Sequence, residues 1–458
     1  MIRVHKIALD PNNEQRSYFA RACGTARFAW NWALGEWIRQ YRQGGKPSEA
    51  ALRRQLNAIK RTEFPWMLEV SKTAPQEAIK QLGFAFKRFF RGEGGYPRFK
   101  RKGQRDSYQA DNGPGTFAIE GTVVRHCDGR TPVVRHCGGQ PAHIRLPVIG
   151  RVRMREALRF QGELRSVTIS RTAGKWFAAV AVEVPEPDPE PEPRPEAIVG
   201  VDLGVKALAT LSDGTVVEGP KAHRHYLRRL RRLNRSLARK TEAAKAAMGL
   251  AGKAVPKGVR IPASNNRKKA AAQLARLHAR IAAIRQDALH KLTTDLTRRF
   301  TVIGIEDLNV RGMLANDRLS RAIADMGFHE FRRQLEYKAR RNGVTVVVAP
   351  RFHPSSKTCS SCGHVLEALQ LKTRAWDCPV CAVHHDRDLN AARNLARLCE
   401  TRGPAAGEAK LTCTASSAGI QACGGAGSDL GSKAKVKPAP RKQEPNSSQP
   451  CSDLSNFG

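Results

Sequence analysis

Acidic residues are in short supply. The 458 residues include 41 Asp and Glu against 79 Lys and Arg, a formal net charge of +38. Such an imbalance speaks of partners rather than of fold: a chain this basic calls for a polyanion, and nucleic acid is the default. Long apolar runs are also missing. None approaches the roughly 18 residues of a membrane-crossing helix, so a membrane surface is the weaker partner. The opening MIRVHKIALDPNNEQ has no apolar signal stretch, and nothing in it points to secretion. The 11 cysteines lack the scatter of a disulfide framework. Four of them form two CxxC pairs, which favours a metal over disulfides. What the chain does have is apolar content, 41%, enough for sizeable cores in roughly two to four domains.

Alternation in IRVHKIAL (2–9) predicts a strand. DPNNEQ then supplies helix caps: Asp10 or Asn12 can accept from free backbone N–H groups, and Pro11 suits a first turn. The helix that follows carries Phe19, Ala22, Ala26, Ala29, Trp30, Ala33, Trp37 and Ile38 and stops near Gly44 and Gly45. Further helices are expected from Ser48 and from Pro75. The stretch GYPRFKRKGQRDSYQADNG (95–113) interleaves Tyr96, Phe99 and Tyr108 with cations that include Arg98 and Lys100. Aromatic faces for bases beside cations for phosphates suit nucleic acid; the plainer reading is a basic loop whose aromatics anchor it to a core.

From 115 to 184 the pattern is of strands, with a hairpin, SVTISRTAGKWFAAVAVEV, turning at Ala173 and Gly174. VVRHC occurs twice, at 123–127 and 133–137. His126, Cys127, His136 and Cys137 fit no standard metal spacing, and a local duplication explains them better. PEPDPEPEPRPE (185–196) is a stiff, acidic, Pro-rich linker. Beyond it come two strands in AIVGVDLGVKALATLSDGTVV, with a turn at Asp213 and Gly214. Two basic helices follow, at 223–240 and 265–299, which suggests an antiparallel hairpin. A charge run is usually a solvated face. One sign dominates the first helix, Arg228 and Arg232 included, and that favours phosphates. A strand (300–308), a helix (318–342), a strand (344–350) and a last helix (388–400) complete the pattern. The 401–458 tail, rich in Gly, Ser, Pro and Lys, is expected to be disordered.

Cys359 and Cys362 form one CxxC pair, Cys378 and Cys381 the other. Each pair makes a knuckle presenting two thiolates, and two knuckles close a tetrahedral site for one structural Zn²⁺ with no open position. His353, His364, His384 and His385 are not needed as ligands. Three acids carry the second chemistry. Asp202 lies among apolar residues in IVGVDLG, Glu306 ends the strand VIGIEDL, and Asp388 begins the last helix. An acid among apolar neighbours is costly without a partner. Converging on one face of an α/β sheet, three carboxylates can hold two Mg²⁺ or Mn²⁺ ions, which activate water and stabilise the leaving oxygen of a phosphodiester. Taken singly, each acid reads as a cap or an arginine partner. The charge and the strand–strand–helix order favour the nuclease.

GVDLGVKALATLSDG, IGIEDLNVRGM, HPSSKTCSSCG, WDCPVCAVHHDRDLNAARNL and KQEPNSS (442–448) together resemble the TnpB (OrfB) family, encoded by small bacterial insertion sequences and related to the type V CRISPR effectors. The resemblance spans most of the chain; the 123–141 duplication and the 185–196 linker depart from it. It implies an α/β multidomain protein. An RNase H-like RuvC nuclease domain (198–355 and 388–400) would carry a basic hairpin (221–299) and an inserted zinc ribbon (356–387). A helical recognition module (11–104) and a wedge-like β-barrel (1–10 and 105–184) would precede the linker (185–197). It implies an RNA-guided DNA endonuclease, cytoplasmic and acting as a protein monomer. Its partners would be a guide RNA from its own element and double-stranded target DNA cut beside a short motif. By motif, Asp202, Glu306 and Asp388 match the three catalytic acids. Asp386 competes for the third place, and Asp388 is preferred because it directly precedes LNAARN. Gln76, Lys80 and Gln81 are candidates for reading the motif, since Gln can pair with adenine in the major groove. The ribbon would fix the chain entering the last helix and gate the DNA strand.

Three rivals stay open: a nuclease-silent RNA-guided repressor, a strand-transfer transposase using the same metals, and a zinc-ribbon DNA-binding protein. Lost acids would mark the first. The second differs only in its nucleophile. The third leaves Asp202 and Glu306 idle.

Overall fold

The computed structural model describes residues 1–111, 116–120, 123–127, 131–135, 142–185, 196–256, 258–370 and 372–402. The expected linker and tail fall almost wholly outside them.

The first strand, β1 (Ile2–Asp10), leads into α1 (Asn13–Arg42). Asn12, rather than Asp10, is the cap. Its side chain accepts from Gln15 N at 2.8 Å, while the Gln15 side chain accepts from Asn12 N at 3.1 Å. This reciprocal pair satisfies two backbone donors at the helix start. α2 (Glu49–Ile59), capped by Ser48, and α3 (Thr73–Phe90) pack on α1, with Trp37 stacked on Phe86 at 4.0 Å. The strands β2 (Ser107–Asp111), β3 (Ala118–Glu120), β4 (Val123–Cys127), β5 (Thr131–Arg135), β6 (His143–Leu146), β7 (Gly150–Met154), β8 (Glu163–Thr172) and β9 (Lys175–Glu183) follow. Seven strands form one antiparallel sheet in the order β2-β8-β9-β1-β7-β6-β3. Ala173 and Gly174, at φ 50° and 83°, make the β8–β9 turn, and two left-handed residues match the twist of its strands. One core joins this sheet to the three helices through Ile7, Phe19, Leu82, Phe86, Val167 and Val180. The pair β4–β5 stands as a separate hairpin. The side chains of His126, Cys127, His136 and Cys137 lie outside the described residues.

The second body is built on a five-stranded sheet. Its elements are β10 (Glu196–Asp202), β11 (Ala209–Leu211), β12 (Val216–Val217), α4 (Ala222–Ala246), α5 (Asn265–Arg299), β13 (Phe300–Glu306), α6 (Val310–Leu314), α7 (Ser320–Met326), α8 (Phe328–Asn342) and β14 (Thr345–Ala349). The chain ends its described course in β15 (Ala375–Asp377), β16 (His384–Asp386) and α9 (Arg387–Arg402). The sheet order is β12-β11-β10-β13-β14, with β10, β13 and β14 parallel. The single helix expected at 318–342 is two, because Gly327 at φ 74° breaks it. α4 and α5 form the expected hairpin around Leu230, Leu277 and Ile281. The last turns of α5 continue into the sheet core through Leu289, Leu292 and Leu296.

The two faces of this sheet differ. Val199, Val201, Ile303 and Ile305 point into the core shared with α5 and α8. The alternate residues face α9. A Cβ on Gly200 would lie 1.9 Å from the Ala392 carbonyl oxygen, and one on Gly304 would lie 2.7 Å from that of Leu395. Two glycines, side by side in register, therefore let α9 rest its backbone directly on the strands.

Candidate active site and metal centre

Asp202 and Glu306 each stand two residues beyond one of these glycines, so both side chains share the α9 face. In the parallel register Gly200 faces Gly304 and Val201 faces Ile305, which sets the two acids side by side at the strand ends. Asp388 sits in the first turn of α9. Burial first, then the nearby carboxylates of Glu306 and Asp388, push the Asp202 carboxyl up to about 8; Arg387 and the Leu203 N–H act the other way. The three acids predicted from sequence are thus charge-coupled at one end of the sheet, while among the described residues the only group of three or more such side chains within metal-holding distance of one another is the four cysteines. The donor chemistry fits a hard divalent cation: oxygen only, with mutual repulsion that keeps Asp202 protonated until a cation displaces the proton.

Asp386 has a different task. Its Oδ1 accepts from the N–H groups of Asp388 and Leu389, both at 3.0 Å, and so caps α9. If the acids form a nuclease centre, as the family resemblance implies, Asp386→Ala should cost about 1 kcal/mol of helix stability and slow cutting without ending it, whereas Asp388→Ala should end it. Single-turnover rates of the two variants check this.

Several residues missed in the sequence fix the acids in place. Buried Ser355 donates its hydroxyl to Glu306 Oε1 at 2.5 Å. Asn394 Nδ2 donates to the carbonyls of Ser355 (2.8 Å) and Thr358 (2.6 Å). Asn390 Nδ2 donates to Thr358 O at 2.7 Å, and its Oδ1 accepts from Ser360 N at 2.9 Å. Asn390 and Asn394, four apart on α9, thereby lash this helix to the chain entering the first knuckle. The i,i+4 amides of LNAARN were the visible signal. Arg374, between the two knuckles, reaches Asp388 at 3.6 Å.

The sulfurs of Cys359, Cys362, Cys378 and Cys381 lie within 4.8 Å of one another. The Cys359–Cys381 and Cys362–Cys378 separations are both 3.6 Å, close to the ~3.8 Å edge of a tetrahedron with Zn–S bonds near 2.3 Å. Four thiols at this spacing fit zinc. Burial resists ionisation of Cys359, but N–H groups of Cys362 and Ser361 and the ring of His385 bring its thiol down to about 5. His385, buried against Trp376, stands 3.0 Å from that sulfur. It supports a ligand rather than acting as one. Gly363 and Ala382, at φ 81° and 57°, close the two knuckles.

The basic positions are spread more widely. Lys80 is held between Glu77 (2.6 Å) and Asp111 (3.1 Å), and Gln81 donates to Gln109 at 2.7 Å. Both side chains are thus engaged at β2, while Gln76 is half-buried on the same helix. Tyr96 packs edge-on against Phe86 and Phe89, and Phe99 is exposed. Arg98 is exposed and its carbonyl accepts from Trp30. The Lys100 ammonium lies 3.8 Å over the Trp30 ring, where burial lowers it to about 8. Arg228 and Arg232 are exposed on α4.

Fold and site define a class: a strongly basic α/β protein with a three-carboxylate centre beside a four-thiol knuckle pair. Residues 179–317 match the OrfB_IS605 family model, described as "Probable transposase", and residues 1–46 match its "Helix-turn-helix domain". Residues 328–395 match the "Cas12f1-like, TNB domain". A Streptomyces pristinaespiralis protein named "Putative RNA-guided DNA endonuclease" is 35% identical over 86% of this chain and 88% of its own. Escherichia coli InsQ, of the same description, is 31% identical over 90% and 94%. A Cas12f1–sgRNA–target DNA complex gives a looser likeness, at TM-score 0.48 and 14% identity over 84% and 83% of the two chains. The chain belongs to the TnpB (OrfB) family.

Proposed function

We propose that this chain is an RNA-guided, metal-dependent DNA endonuclease of a transposable element, cutting beside a short element-adjacent motif. The strand-end register of Asp202 and Glu306, with Asp388 charge-coupled to Asp202 from the first turn of α9, supports the reading, and the relatives' names agree with it. Asp202, Glu306 and Asp388 would hold two divalent ions, Mg²⁺ or Mn²⁺. Bound there, the ions supply an activated water and positive charge at the leaving oxygen of a phosphodiester. The protein's part is placement. Ser355 orients the Glu306 carboxylate, Asp386 caps the helix that presents Asp388, and Asn390 and Asn394 hold that helix to the knuckles. In this reading the second body is an RNase H-like RuvC domain with an inserted zinc ribbon. The first is a helical recognition module with a β-barrel wedge. Arg228 and Arg232 of α4 meet RNA or DNA phosphates, and Gln76 is the freest of the motif-reading candidates on α3. The protein acts as a monomer on its guide RNA and duplex target, base pairing reading the sequence.

The test is co-purification with RNA expressed from the element, then incubation with Mg²⁺ and a plasmid bearing a matched target beside a randomised flank. Cutting that needs both the guide and one flank supports the reading. Protected but uncut target would favour a repressor, and joined DNA ends a strand-transfer enzyme. Cys378→Ser checks the knuckles: bound zinc should fall from one ion per chain to almost none, with cutting reduced by roughly 100-fold or more as α9 loses its anchor. Metal analysis and cleavage rates read the two effects separately.

A further inference from the structure

Phe352 is 92% exposed, the most exposed large apolar side chain among the described residues. Single exposed apolar residues are ordinary on protein surfaces. The backbone beneath this one is not loose, however. The Pro350 carbonyl accepts from His353 N at 2.9 Å, closing a four-residue turn with Arg351 and Phe352 at its corner. Glu306 and its neighbour anchor that turn three times. Ala349 is the register partner of Glu306, Arg351 stands 3.6 Å from Asp307, and the Ser355 hydroxyl meets the Glu306 carboxylate. Phe352 is three residues from Ala349 and three from Ser355, so its Cα lies within about 11 Å of either anchor. A hydrogen-bonded turn thus displays one naked ring at the strand-end rim that carries Glu306.

We propose that Phe352 is a stacking platform for an unpaired base of the DNA strand being cut, next to the scissile phosphate. The inference rests on the nuclease reading and adds to it a residue that positions substrate. A base offers an aromatic face whatever its identity, so one ring can hold a strand without selecting its sequence. The chain's positive charge brings the strand, and the platform sets which phosphate comes to rest over the carboxylates.

The test uses the RNA-loaded protein carrying Asp202→Ala, bound to matched target with 2-aminopurine at successive positions of the unpaired strand. Fluorescence should be quenched at one or two adjacent positions. Phe352→Ala should abolish that quench and Phe352→Trp should keep it, with unchanged melting temperatures. In cutting-competent protein, Phe352→Ala should slow cleavage about tenfold. An abasic site at the quenched position should slow the wild type as much and leave Phe352→Ala no slower. A quench unchanged by Phe352→Ala, or an abasic site that slows both proteins equally, overturns the proposal. A Phe352-dependent quench in a wild-type complex that cuts nothing upholds Phe352 as a base-stacking platform and overturns the nuclease reading, and with it the platform's place beside a scissile phosphate.

Discussion

Asp202→Ala is expected to lower cutting by at least about 1,000-fold, within the range that metal and electrostatic stabilisation contribute to such reactions, while RNA loading and target binding stay as in wild type. The same residue predicts a pH signature that needs no turnover. Its ordinary value is 3.8, and in the folded protein without metal it rises to about 8 through burial and the neighbouring carboxylates. Between about pH 4 and pH 8 the folded protein then holds a proton that the unfolded chain has released, so stability falls as pH rises through that window. A divalent ion must expel this proton, and its binding should tighten as pH rises towards 8 and level off above. Asp202→Asn removes the titration. Without metal at pH 7.5 that variant should be more stable than wild type by at least about 1 kcal/mol, or some 2–4 °C in Tm. Mg²⁺ should then raise the wild type's Tm and leave the variant's unchanged. A variant that still gained stability from Mg²⁺ and still cut DNA would place the metal elsewhere.

The order of the elements was legible because their periodicity is strong. The N-terminal strand and helix, the hairpin at Ala173 and Gly174, the basic helix pair and the strand–strand–helix sequence of the acids stand nearly where pattern puts them. Paired spacing alone brought the four cysteines together. Non-local covering was harder. Lys80 and Gln81 read as motif-reading candidates on a helix, yet β2 lies against that face and engages both. Lys100 read as a phosphate ligand, and a tryptophan far back in the chain lies beneath it. No local pattern announces which distant element will cover a surface. Gly327 was visible, but one glycine within a helical pattern does not by itself say that the helix breaks. No local pattern separates Asp386 from Asp388, two carboxylates near one helix start; the structure adds that Asp386 caps α9 and that Asp388 is charge-coupled to Asp202.

The glycines carried a signal that apolar periodicity ignores: each strand acid has a glycine two residues before it, Gly200 ahead of Asp202 and Gly304 ahead of Glu306. Those positions face α9, and Gly200→Ala should be among the most damaging changes outside the acids and the zinc ligands. The added methyl would meet the Ala392 carbonyl oxygen at 1.9 Å and the Ala396 nitrogen at 2.5 Å. Both are backbone atoms, so no rotamer can yield, and α9 must lift. A shift on the order of 1 Å at Asp388 is enough to cost about 100-fold in rate, and the overpacking adds roughly 1–3 kcal/mol of instability. Gly304→Ala meets the Leu395 carbonyl oxygen at 2.7 Å and the Cys399 sulfur at 2.6 Å. Removing that sulfur with Cys399→Ala should restore part of the Gly304→Ala activity and none of the Gly200→Ala activity. Cleavage rates and hydrogen exchange along α9 measure the two halves of the claim. A Gly200→Ala protein that cuts like wild type, with α9 equally protected, would mean that the helix does not set the position of the third acid.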